Sequence, residues 1–76
     1  MTEEEKIANR LRVGQRIAEI RQQKGYSLRQ LSELCDVTFQ NINKIENGKY
    51  NVGIDILGRI AEALEVEIEL IDKATE

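Results

Sequence analysis

A short run of amide, amine and aromatic side chains near the middle of the chain has the chemistry needed to pair with base edges. It contains Phe39, Gln40, Asn41 and Lys44. An amide group can form a bidentate pair with adenine, an ammonium group reaches the acceptors of guanine, and an aromatic ring can touch a thymine methyl group. These residue types predict a surface that reads base pairs, provided that one element presents them together.

The apolar spacing predicts that a helix over residues 39–47 presents this run. Ile42 and Ile45 lie three residues apart on one face, and Thr38 can cap the first turn. The opposite face carries the amide and amine groups and contains no acid. Because the chain has a net charge of −3, an acid-free face is informative.

Three further helices are predicted around this one, over residues 3–24, 28–35 and 54–64. Capping boxes at Thr2 and Ser27 mark two starts, and Gly25 ends the first helix. The second and third helices are joined by a short link, which is the arrangement of a helix-turn-helix. A helix about 10–12 Å across fits a major groove about 12 Å wide. We therefore expect an all-α, four-helix DNA-binding domain over residues 1–65.

The charge distribution favours a basic body that can meet phosphate. Residues 6–49 carry nine basic and four acidic side chains, whereas residues 50–76 carry two basic and seven acidic ones. Arg29, in the first turn of the second helix, is a candidate phosphate contact, and Tyr50 could donate to a phosphate from the loop after the third helix.

The spacing of apolar residues changes from a helical to an alternating pattern at residues 66–71. Val66, Ile68 and Leu70 alternate with mostly acidic residues, which predicts a strand. No other segment predicts a strand, so its partner must come from a second chain. We expect a homodimer with an antiparallel ribbon, followed by a tail at residues 72–76. Two reading helices about one DNA turn apart would then select a palindrome.

Composition excludes other classes of protein. The 76 residues include one Cys and no His. Without an imidazole base, a nucleophile elbow or a phosphate-binding loop we expect no enzyme, and with so few nitrogen and sulfur ligands we expect no metal and no cofactor. No apolar run has the roughly 20 residues of a membrane helix and no signal peptide pattern is present, which predicts a cytoplasmic protein without membrane contact.

Several motifs carry a family likeness over about residues 13–66: Val13-Gly14-x-x-Ile17-x-x-Ile20-Arg21, Lys24-Gly25-Tyr26-Ser27-Leu28-x-x-Leu31-Ser32, Val37-Thr38, Ile42-x-x-Ile45-Glu46-Asn47-Gly48-Lys49 and the Leu57–Leu64 helix. With these motifs the chain resembles the Xre family of helix-turn-helix domains, which includes the phage Cro and cI-type repressors. The resemblance implies a compact, lambda-repressor-like helical bundle that reads operator DNA with the start of its third helix. The C-terminal strand resembles that of HipB-type antitoxins, in which strands of two subunits pair.

The resemblance also implies roles for individual residues. The positions that match base-reading positions of the family are Gln40, Asn41 and Lys44, and Phe39 stands where Gln or Arg is frequent. The positions that match phosphate contacts are Thr38, Asn47 and Lys49. Arg21 and Glu46 match a structural ion pair between the first and third helices.

These observations predict a sequence-specific DNA-binding transcriptional regulator, a repressor or autoregulator that occupies a palindromic operator in double-stranded DNA as a homodimer. One alternative is an antitoxin that binds DNA in the same way and also binds a toxin protein. A second alternative is a helical adaptor that binds proteins and no DNA. The acidic C-terminal stretch favours the adaptor, and the acid-free face of the third helix disfavours it.

Overall fold

The computed structural model describes residues 1–75, and its principal elements are four α-helices. They are α1 (Glu3–Gln23), α2 (Leu28–Cys35), α3 (Phe39–Glu46) and α4 (Ile54–Leu64), followed by a 3-10 turn at Lys73–Thr75. The predicted four-helix, all-α fold is confirmed. α2 and α4 have the predicted limits, whereas α1 and α3 each end one residue earlier. Within residues 1–75 no helix is both long and apolar enough to cross a bilayer.

Capping boxes define the starts of α1 and α2. The Thr2 hydroxyl accepts from the Glu5 N–H at 3.1 Å, and the Thr2 N–H donates to the Glu5 carboxylate at 2.9 Å. Ser27 and Gln30 repeat the arrangement at 3.0 and 2.8 Å. Each box satisfies N–H groups that the first turn of a helix would otherwise leave without a partner.

One apolar core holds the four helices together. Its largest fully buried side chains are Leu31, Ile42, Ile45, Ile60 and Leu64. Burial of a Leu or Ile side chain contributes about 1.5–3 kcal/mol. α3 packs against α1 and α2, and α2 also packs against α4. Because Ile42 and Ile45 both face this core, the opposite side of α3 is turned away from it.

Gly14 lets the backbones of α1 and α3 come into contact. A Cβ atom at this position would lie 2.0 Å from the carbonyl oxygen of Ile45 and 3.0 Å from the Cα of Glu46. No side chain larger than hydrogen fits there, because the atoms it would meet are backbone. The glycine therefore sets the distance between α1 and the C-terminal turn of α3.

The C-terminal segment does not have the predicted structure. Residues 66–72 form neither helix nor strand, so the strand predicted over residues 66–71 is absent from this chain. A strand needs a hydrogen-bonded neighbour, and no other described segment is a strand that could pair with it. The structure likewise gives no support for a ribbon paired across a dimer. Val66 packs against the core, but Ile68 is 44% exposed and Leu70 98%. Of the predicted tail at 72–76, Glu76 lies outside the described residues.

Candidate nucleic-acid interface

The turn between α2 and α3 is tied to α2 at two points. Asp36 adopts the left-handed conformation (φ 57°), and its N–H donates to the Ser32 carbonyl at 3.0 Å. The Ser32 hydroxyl donates to the carbonyl of Val37 at 2.6 Å, and the Val37 side chain is buried. These contacts fix the position at which α3 begins relative to α2.

α3 presents one polar face to solvent. The Thr38 hydroxyl accepts from the Asn41 N–H at 3.2 Å and caps the helix. The side chains of Gln40 and Lys44 are exposed, while Asn41 is half-buried. Of the four predicted base-reading residues, the structure thus leaves Gln40 and Lys44 most open to solvent, and Phe39 is half-buried like Asn41.

Arg29 and Phe39 are in direct contact. The guanidinium carbon lies 4.5 Å from the centre of the aromatic ring, in a cation–π arrangement that joins the first turn of α2 to the first turn of α3. Sequence spacing does not predict this contact, because the two side chains lie on different helices. It brings a predicted phosphate contact and a predicted base contact together.

The only acid of α3 is held in an ion pair. Arg21 Nε and Nη2 donate to the two carboxylate oxygens of Glu46 at 2.7 and 3.0 Å. The two side chains are only 12% and 7% exposed. The hydrogen bond to Glu46 is the main cause that raises the pKa of Arg21, against the opposing effect of burial. The negative charge of Glu46 is therefore neutralised inside the domain rather than presented on the outer face of α3.

Two lysines near the end of α3 are available for an anionic partner. Lys44 and Lys49 are exposed, and neither belongs to an ion pair within the described part of the chain. The backbone N–H of Lys49 donates to the Lys44 carbonyl at 2.8 Å, and Gly48 before it has a φ of 70°. This C-terminal turn places both lysines at the same end of the helix.

The remaining predicted phosphate contacts are in different environments. Thr38 is exposed at the start of α3, and Asn47 is exposed at its end. The Asn47 side chain donates to the Asn43 carbonyl at 2.7 Å, so its amide is directed along its own helix. Tyr50 is half-buried and packs against the core. Within residues 1–75 no group of three acidic or cysteine side chains could hold a metal ion.

Several known proteins are similar to this chain in sequence or in fold. The model of a helix-turn-helix family matches residues 17–71. An uncharacterised HTH-type transcriptional regulator of Rickettsia prowazekii is 40% identical over 57 residues, which are 75% of this chain and 44% of that protein. One from Sinorhizobium fredii is 44% identical over 55 residues, which are 72% of this chain and 38% of that protein. The chain thus spans less than half the length of these curated relatives.

Two further proteins are similar to this chain over most of its length. The HTH-type transcriptional regulator SinR of Bacillus subtilis is 36% identical over 66 residues, which are 84% of this chain and 60% of that protein. The crystal structure of the restriction-modification controller protein C.AhdI from Aeromonas hydrophila superposes with a TM-score of 0.78 at 31% identity, covering 80% of this chain and 88% of that chain. The family match includes all of α2, the turn and α3, and on this evidence the chain belongs to the helix-turn-helix family.

Proposed function

We propose that this chain is a sequence-specific DNA-binding transcriptional regulator that inserts α3 into the major groove. The observation that carries the proposal is the outer face of α3, which presents amide and amine groups, while Glu46, the only acid of the helix, is neutralised by Arg21 inside the domain. Such a face can approach phosphates without repulsion and still offer directional donors and acceptors to the bases. The similarity to proteins named as transcriptional regulators supports it.

The proposal divides the interface into two sets of residues. The set that reads bases consists of Phe39, Gln40, Asn41 and Lys44. The set that contacts the phosphate backbone consists of Arg29, Thr38, Asn47, Lys49 and Tyr50. The base-reading set begins at the first residue of α3, and the N-terminal residues of a reading helix are those that meet base edges. The phosphate-contacting set lies before and after this set in the chain.

More specifically, we propose that the chain forms a homodimer that represses transcription by occupying a palindromic operator. The promoter of its own gene is one such target. The apolar side chains of Ile68, Leu70 and Ile71 are exposed in the C-terminal segment. A second copy of the chain would remove them from water, and a two-fold dimer would set two α3 helices about 34–36 Å apart.

Selection of bound duplexes from a random DNA pool tests the proposal. We expect enrichment of a palindrome with half-site centres about 10–10.5 base pairs apart, bound at least about 1,000-fold more tightly than random DNA. Enrichment of a single half-site would keep the reading function and remove the dimer. No enrichment would leave the adaptor alternative, and a toxin that co-purifies with the DNA-bound protein would identify the antitoxin alternative.

A further inference from the structure

Phe39 differs from the other half-buried apolar side chains near α3. Side chains such as Leu28 and Leu57 pack against the core, whereas Phe39 is not part of that set. Its ring contacts Arg29, whose guanidinium carbon lies over the ring, 4.5 Å from its centre. An aromatic ring at the start of α3 is therefore engaged with a cation rather than with the interior of the domain.

The cation–π contact uses none of the N–H groups of Arg29 as hydrogen-bond donors to another residue. A guanidinium carries five N–H donors in its plane, and a contact through its face uses none of them. Within the described residues Arg29 has neither an ion pair nor a hydrogen-bonded acceptor, and it is exposed. The acceptor that fits this planar fork, at the border of a surface that meets DNA, is a pair of phosphate oxygens.

We propose that Phe39 is a positioning residue for Arg29: its ring holds the guanidinium so that the free N–H edge meets a backbone phosphate. This inference rests on the proposed DNA-binding function and adds to the base contact proposed for Phe39. It has an unusual consequence, since an uncharged side chain then determines part of the salt-dependent affinity. Arg is required at position 29, because the ammonium group of Lys lacks the planar face and the fork.

The salt dependence of binding tests the inference. The full chain is titrated onto the selected site and onto random duplex at several salt concentrations, as wild type, Arg29→Ala, Phe39→Ala, Phe39→Leu, Phe39→Tyr and the Arg29→Ala/Phe39→Ala double variant. One phosphate contact contributes about 0.9 to the slope of log K against log salt. We expect Arg29→Ala to lower the slope by about 0.9 for each bound chain, and Phe39→Ala and Phe39→Leu to lower it by more than half as much.

The pattern among the variants separates positioning from simple contact. Phe39→Tyr should keep the wild-type slope, and the double variant should lose no more slope than Arg29→Ala alone. Because phosphates are the same in every sequence, the changes should be equal on selected and random duplex. Arg16→Gln serves as the charge control: Arg16 is exposed and paired with Glu19 on α1, so we expect no change in slope. Circular dichroism establishes that each variant is folded.

The outcomes distinguish this inference from the function on which it rests. If Phe39→Ala and Phe39→Leu weaken binding but keep the wild-type slope, Phe39 only contacts bases and the inference is wrong. If Arg29→Ala keeps the slope, or changes it on the selected site alone, Arg29 does not contact phosphate and the inference is again wrong. In all these cases wild-type binding stands. A wild-type chain that binds neither duplex would overturn the proposed function itself.

Discussion

Arg21 and Glu46 connect α1 to the last turn of α3 through two parallel hydrogen bonds of 2.7 and 3.0 Å. A third N–H of Arg21 donates to the carbonyl of Tyr26 at 2.8 Å, in the loop that leads to α2. One guanidinium therefore contacts the end of α3 and the segment before α2. This arrangement explains how a largely buried charge pair can orient α3.

We expect Arg21→Ala to destabilise the domain by about 3–5 kcal/mol, because it leaves the Glu46 carboxylate buried without a partner. Urea unfolding followed by circular dichroism measures the change. Arg16→Ala is the matched control, because its pair with Glu19 is exposed and should contribute less than about 1 kcal/mol. Similar losses in the two variants would contradict the role given to Arg21.

Gly14→Ala should destabilise the domain by about 1–3 kcal/mol, although Ala is the better helix former, because its Cβ would overlap the Ile45 carbonyl oxygen. Gly58→Ala in α4 is the control: its Cβ meets nothing within 4 Å. We expect that variant to gain about 0.5–1 kcal/mol from helix propensity alone. Thermal unfolding compares the two, and a stabilised Gly14→Ala would disprove the close backbone contact.

Glu5 should make the stability of the domain depend on acidic pH. Hydrogen bonds from the backbone and side chain of Thr2 lower the pKa of Glu5 below its ordinary value near 4.5. The charged form is thus favoured by folding, so its contribution is complete above that value and is lost as pH falls through the folded pKa. The stability difference between wild type and Glu5→Gln should shrink as the pH falls from about 4.5 through the lower pKa of the folded state.

Glu4→Gln is the control for this pH series, measured by thermal unfolding at each pH. Glu4 lies in the same turn of α1 but takes no part in the capping box. Its difference from wild type should vary less with pH. Equal pH dependence for the two variants would show that the general acidity of the first turn, rather than the capping bond, is responsible.

Lys44 and Lys49 should affect DNA binding differently. Lys44→Ala should relax the preference at one base pair by about 1–3 kcal/mol, since it removes the proposed base contact. Lys49→Ala should weaken binding to all duplexes similarly and lower the salt slope by about 0.9 for each bound chain, since it removes the proposed phosphate contact. Fluorescence anisotropy on selected and random duplex measures both. Losses that are equal on both duplexes for both variants would refute this division of roles.

Ile68→Asp should weaken self-association at least about tenfold if a second copy covers the C-terminal segment, because burial of an Ile contributes about 1.5–3 kcal/mol. Sedimentation velocity over a micromolar concentration range measures the effect. Leu34→Asp is the control, since Leu34 is an exposed apolar residue of α2 outside this segment. A monomeric wild type, or equal effects of both substitutions, would exclude a dimer built on residues 66–71.

The starts of α1, α2 and α3 could be predicted because local side chains determine them. Thr2, Ser27 and Thr38 each accept a hydrogen bond from the backbone three residues later, a contact that depends on nothing else in the fold. The ends of α1 and α3 were harder to predict. Lys24 and Asn47 close the last turns of these two helices as caps, so each helix ends one residue earlier than its polar sequence indicates.

Residue types and spacing alone could not reveal contacts between distant segments, although the family resemblance implied the pair of Arg21 and Glu46. Arg29 meets Phe39, and Gly14 meets Ile45, only because the helices pack in one particular way. The strand prediction for residues 66–71 was wrong for a different reason. The alternation of Val66, Ile68 and Leu70 satisfies the side-chain requirement of a strand, but the backbone requirement is a neighbour, and sequence alternation says nothing about that.

The left-handed Asp36 in the turn before α3 has a thermodynamic consequence for recognition. A glycine there could move among several backbone conformations, whereas an L-residue has only a small allowed region with positive φ. Together with the two contacts of Ser32, this conformation restricts the backbone of the turn between α2 and α3. If α3 binds DNA as proposed, little conformational entropy of this turn would remain to be lost, and discrimination between sequences would rest on the contacts themselves.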